Sequence, residues 1–88
     1  MKFQTIASGS KGNCAIVICD NTRIIIDMGI SFITLKRSLE ENSLSFDNFV
    51  GILITHNHKD HTSGLASLIK KTNLKLRFKY MKNNNLFI

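Results

Sequence analysis

Eighty-eight residues suffice for one small domain. A chain this short buries only about 60–65% of its unfolded surface, so its core is marginal without help from a metal or a partner. A hydrophobic fraction of 43% excludes wholesale disorder, and no apolar run approaches the ~20 residues that span a bilayer. The formal charge of +6 is unevenly placed: residues 1–60 carry six basic and six acidic side chains and sum to zero, so the whole excess lies in residues 61–88.

That excess is Lys70, Lys71, Lys75, Arg77, Lys79 and Lys82, with no carboxylate among them. It reads either as a solvated basic tail or as an electrostatic footprint for nucleic acid. Lys2 is followed by no apolar stretch of the secretory kind, so a cytoplasmic protein without a membrane partner is expected. Cys14 and Cys19 stand five apart in a strand-like run, which points them to opposite sheet faces and argues against a mutual disulfide.

In chain order, Met1–Ile6 reads as a strand, followed by the small-residue loop Ala7–Asn13. Cys14–Cys19 and Thr22–Ile26 form apolar runs around Asp20-Asn21, the pattern of a hairpin, and their lack of alternation predicts a sheet covered on both faces. Ser31 is the expected N-cap of a helix to about Glu41 with Phe32, Leu35 and Leu39 on its core face. Val50–Ile54 is the next strand. Thr62 or Ser63 is expected to cap a second helix carrying Leu65, Leu68 and Ile69 and ending near Thr72-Asn73. Leu74, Leu76, Phe78 and Tyr80 alternate with Lys75, Arg77 and Lys79, as in a strand with one dry and one wet face, and Asn83-Asn84-Asn85 reads as a frayed end. Overall the order of strands and helices is that of an α/β fold, with a main unit at 1–73 and a basic, atypical tail at 74–88.

All three histidines fall within His56-Asn57-His58-Lys59-Asp60-His61, between a buried-strand signal and a helix start. Metal binding explains this concentration better than chance histidines in a polar loop. In an extended exit from the strand, His56, His58 and Asp60 share one side, and His61 enters from another direction. Imidazole nitrogens with one carboxylate suit zinc or iron. The carboxyl end of a strand is also where open α/β sheets place their sites.

The segment Thr55–Leu65 resembles the H-x-H-x-D-H signature of the metallo-β-lactamase-fold hydrolases. Ile26-Asp27-Met28-Gly29 is similar to that family's strand-closing aspartate, and Ser8-Gly9-Ser10-Lys11-Gly12-Asn13-Cys14 is similar to its YycJ-like or WalJ-like branch. The resemblance covers about residues 1–73 and implies the N-terminal half of an αββα sandwich, truncated. It implies two divalent metal ions, zinc before manganese or iron, with His56 and His58 on the first and Asp60 and His61 on the second. It further implies a hydroxide bridging the metals as nucleophile, Asp60 as the catalytic residue that orients it, and Asp27 bracing the ligand loop. The Ser8–Asn13 loop is expected to border the cleft.

The family carries further ligands downstream, and no histidine follows His61 here. The expected reading is therefore a piece of a metal-dependent hydrolase, its substrate leaning toward nucleic-acid phosphodiesters, inactive as the isolated chain. Exposed strands should make it self-associate unless the missing half of the fold covers them. The alternatives are a non-catalytic nucleic-acid-binding piece and a degenerate product without function.

Overall fold

The computed structural model describes the backbone of residues 1–80 and 86–87, and side chains through Lys75. The alternation expected for residues 76–80 and the frayed end at Asn83-Asn84-Asn85 therefore lie outside what is described.

Among the described residues, six strands form one mixed sheet in sequence order: β1 (Lys2–Ala7), β2 (Cys14–Cys19), β3 (Thr22–Ile26), β4 (Gly51–Ile54), β5 (Leu76–Tyr80) and β6 (Leu86–Phe87). β1, β2 and β3 pair antiparallel, β3–β4 and β4–β5 pair parallel, and β5–β6 is antiparallel. Cys19 faces Thr22 across a two-residue turn in which Asp20 takes φ 55°, the positive value a tight hairpin demands and an aspartate tolerates. Each parallel step needs a crossover. The first contains α1 (Phe32–Glu41) and a 3-10 turn at Phe46–Asn48; the second contains α2 (Lys59–Thr62) and α3 (Leu65–Lys71).

The register explains the core. Ile16 opposes Ile25, and Ile25 opposes Ile52, so three β-branched side chains line up across the sheet at 0–1% exposure. Leu35 and Leu39 of α1 and Leu68 of α3 belong to the same buried cluster, which places both helices over this face. Burying each such side chain is worth about 1.5–3 kcal/mol. α1 starts as expected, with the Thr34 amide donating to Ser31 Oγ at 3.2 Å.

The other face carries Val17, Ile24, Ile26 and Leu53 in cross-strand register, and all four are only half-buried. Phe3, opposite Val17 on β1, is 65% exposed. The apolar pattern on both faces is real, but among the described residues only one face has its cover. The expected cap of the second helix is also corrected. α3 begins after Gly64, because Thr62 Oγ1 bonds back to the His58 carbonyl and Ser63 Oγ donates to the Gly29 carbonyl. Both hydroxyls point away from α3, and its N-cap position falls on Gly64, which has no side chain to offer.

Cys14 and Cys19 are both free thiols, Cys14 buried among the helix-side core and Cys19 exposed. Burial, and secondarily the Asp27 carboxylate, push the Cys14 thiol up to about 12. The folded chain thus keeps this proton where the unfolded chain loses it, so stability should fall as pH rises from about 9 toward 12. Labelling with a thiol reagent at pH 8 should modify Cys19 rapidly and Cys14 only in denaturant; equal rates for the two would contradict this packing.

Candidate metal centre

The motif lies where β3 and β4 end side by side. Asp27 N donates to the Leu53 carbonyl at 2.8 Å, closing the sheet. The chain then turns through Asp27 at φ 63°, a left-handed value that costs a non-glycine residue about 1–2 kcal/mol. That turn delivers a carboxylate only 6% exposed to the root of the motif. Asp27 Oδ1 accepts from the Thr55 amide at 2.7 Å, and Oδ2 accepts from Thr55 Oγ1 at 2.6 Å and lies 2.8 Å from His61 Nδ1.

These bonds orient two histidines. An ionised carboxylate only accepts, so His61 donates to Asp27 through Nδ1 and directs Nε2 toward Asp60. Thr55 spends its hydroxyl proton on Asp27, so its oxygen accepts from His56 Nδ1 at 3.0 Å. His56 is thereby held through Nδ1. Carboxylate–imidazole pairing of this kind orients ligands at metal sites and raises their basicity.

His56 and His61 face each other with ring centroids 4.5 Å apart, and His58 lies 6.4 Å from His56. His61 Nε2 stands 3.5 Å from Asp60 Oδ2. Ligand atoms of Asp27, His56 and His61 all fall within 4.8 Å of one another. The extended run expected through Asp60 stops at His58, which is the N-cap of α2; Asp60 and His61 ride on that single helical turn. Helical rather than strand geometry therefore brings His61 back toward His56.

The loop is held from below by backbone contacts at very short range. Met28 N donates to the His61 carbonyl at 2.8 Å, and Gly64 N donates to the Met28 carbonyl at 2.8 Å. A Cβ at Gly29 would sit on the Asp60 carbonyl, and one at Gly64 on the Ile30 carbonyl. These glycines are required for the close approach. A recess of about 190 Å³ beside His61 is lined by Phe3, Thr5, Ser8, Asn13 and Cys14 among others, so the Ser8–Asn13 loop does border the site. A larger groove of about 620 Å³, lined by Phe32, Lys36, Phe46, Lys70 and Lys71 among others, lies toward the opposite ends of β4 and β5.

The match of a family model described as anti-Pycsar protein Apyc1 over residues 4–88 decides the family. The chain belongs to the anti-Pycsar protein Apyc1 family. It is 35% identical over 74 residues to the exodeoxyribonuclease YycJ of Bacillus anthracis, covering 84% of this chain and 28% of that protein. It is 33% identical over an alignment of 94 residues to the anti-Pycsar protein Apyc1 of Paenibacillus xerothermodurans, covering 100% of this chain and 35% of that protein. The fold is similar to that of the FEZ-1 metallo-β-lactamase of Legionella gormanii, with TM-score 0.62, 21% identity, and 73% of this chain and 25% of that one covered. The metallo-β-lactamase fold and the YycJ-like branch are thus the right ones for this Apyc1-family chain, which spans 28–35% of the length of these two relatives.

Sequence reading singled out Thr55 only as the start of the motif and Asn13 only as part of a loop. Both contact the site directly, Thr55 through His56 and Asn13 through Asp60. The legible signal was their position, one directly after β4 and the other directly before β2.

Asp27 is the testable keystone. Asp27→Gly, which suits the positive φ but orphans the half-buried Thr55 amide, should cost about 1–3 kcal/mol in urea unfolding. Asp27→Ala should cost about 1–2 kcal/mol more, because alanine must also bear the left-handed backbone. Equal stabilities for the two variants would contradict the strain assigned to this residue.

Proposed function

We propose that this chain supplies the metal-binding segment of a metal-dependent hydrolase acting on nucleic-acid phosphodiesters. The observation that carries the reading is the convergence of Asp27, His56 and His61, whose ligand atoms all lie within 4.8 Å of one another, with both imidazoles anchored through Nδ1. The donor chemistry fits a divalent ion: two oriented imidazoles with a third nearby, and a carboxylate 3.5 Å from one of them. In this reading His56 and His58 hold one ion and Asp60 and His61 a second, zinc before manganese or iron. When bound, such ions bring the pKa of water near neutrality.

The chain's own residues then have separate tasks. Asp27 already accepts three hydrogen bonds, so its work is to brace Thr55 and His61 rather than to bind metal. Asp60, an acceptor when ionised, orients the attacking water. The half-open face of Val17, Ile24, Ile26 and Leu53 takes its cover from the remainder of a longer chain or from a second copy, and the isolated chain turns over no substrate.

Two protein ligands for each ion are fewer than the three usual in catalytic zinc sites. Zinc affinity should therefore be at least about tenfold weaker than at a three-ligand site, and the His56→Ala, His58→Ala double variant should lose the first of the two ions. Competition with a chromogenic zinc chelator measures this. A tight site that survives the double change would overturn the assignment.

The phosphodiester substrate is supported by the relative named as an exodeoxyribonuclease and by the basic residues from Lys70 onward. A second reading, a non-catalytic nucleic-acid-binding piece, draws on the groove where Lys36, Lys70 and Lys71 flank Phe32 and Phe46, whose rings stack at 5.0 Å. In either reading, binding to a single-stranded oligonucleotide should be sequence-blind, and log K should fall with log salt by ~0.7 per phosphate neutralised. Changing Lys70 and Lys71 to Ala should reduce that slope by about 1.4, which fluorescence anisotropy across a salt series would show. Loss of zinc binding in the same variant would speak against two separate surfaces.

A further inference from the structure

Asn13 closes the loop between β1 and β2, and its side chain ties that loop to the motif. Oδ1 accepts from the Gly9 amide at 3.1 Å, while Nδ2 lies 2.8 Å from the Gly9 carbonyl, 3.1 Å from the Asp60 carbonyl and 3.1 Å from Asp60 Oδ2. The amide has two protons for these three acceptors, so one proton is shared. The backbone of the same residue is engaged as well: Asn13 N donates to the Asp60 carbonyl at 2.6 Å, and the Asn13 carbonyl accepts from Gly29 N at 2.8 Å.

Asp60 needs such a partner. It lies in the first turn of a four-residue helix and is only half-buried, so packing alone does not choose its rotamer. The oxygen that Asn13 grips, Oδ2, is the one 3.5 Å from His61 Nε2. Asn13 therefore acts on Asp60 from one side, as Asp27 acts on His61 from the other.

We propose that Asn13 is a positioning residue for the metal centre: its side-chain amide holds the Asp60 carboxylate beside His61 Nε2 before any ion arrives. The conformational entropy of Asp60 is then lost on folding rather than on binding. Few other side chains do this. Alanine has no donor, serine is too short to reach from Gly9 to Asp60, and aspartate would set a second acceptor against the three acceptors that the amide now answers. The proposal rests on the reading of Asp60 and His61 as metal ligands.

Cobalt(II) titration of the 88-residue chain, followed by visible absorption, separates the two claims. The chains compared are wild type, Asn13→Ala, Asp60→Ala and the double variant, each with a urea unfolding curve taken without metal. Asn13→Ala should weaken cobalt binding about tenfold and shift the absorption band, the effect expected for loss of an outer partner of a ligand. Asp60→Ala should weaken it at least as much, and adding Asn13→Ala to it should cost nothing further, since the amide then has no carboxylate to hold. If Asn13→Ala proves unfolded, Asn13→Ser serves in its place. Full affinity in Asn13→Ala, or effects of the two single changes that simply multiply, would overturn the positioning role. A wild-type chain that binds no cobalt would instead overturn the metal reading on which it rests.

Discussion

A single buried carboxylate organises the ends of two parallel strands. Asp27 leaves β3 with a left-handed backbone, and its oxygens accept from the amide and hydroxyl of Thr55 at the end of β4 and face Nδ1 of His61. An ionised carboxylate this deeply buried is tolerable only because its acceptor sites are answered by donors. Answering them sets the direction of His56 and His61 at once. The backbone strain at Asp27 is thus tied to the geometry of the histidines, because the same turn that costs energy aims the side chain.

The second constraint is steric. The segments 12–13, 28–30 and 60–64 pass one another at backbone contact, with carbonyls occupying the volume a side chain would take at Gly29 and Gly64. Hydrogen bonds from Asn13, Met28 and Gly64 satisfy the polar groups of these crossing chains. In consequence α2 is held in place although it has only four residues and little intrinsic stability. Tertiary hydrogen bonds replace the missing helical length.

The sheet shows why so small a chain forms this site. Helices α1 and α3 cover one face with a row of isoleucines at its centre, enough to seat β3 and β4 next to each other. The opposite face remains half-open along Val17, Ile24, Ile26 and Leu53. The relatives are about three times longer, and the comparable metallo-β-lactamase chain is matched over 25% of its length. The one-sided core and the site at its rim thus form within a minor part of that length.

From the sequence alone, periodicity and turn chemistry determined the hairpin Cys14–Cys19 and Thr22–Ile26, the helix capped by Ser31, and the strand before the histidines. Those features depend on contacts between near neighbours in the chain. The spacing of His56, His58, Asp60 and His61 marked the segment as a candidate metal site, and the structure gathers two of these histidines with Asp27. The tertiary structure decided what spans long separations. Asp27 meets His61 34 residues on, and Asn13 meets Asp60 47 residues on, and no local pattern encodes either pairing. The start of α3 was missed for the same reason, since Ser63, a good cap by composition, is claimed by the distant Gly29 carbonyl. Local propensity offers each polar side chain several partners, and only the packed chain determines which of them lies within reach.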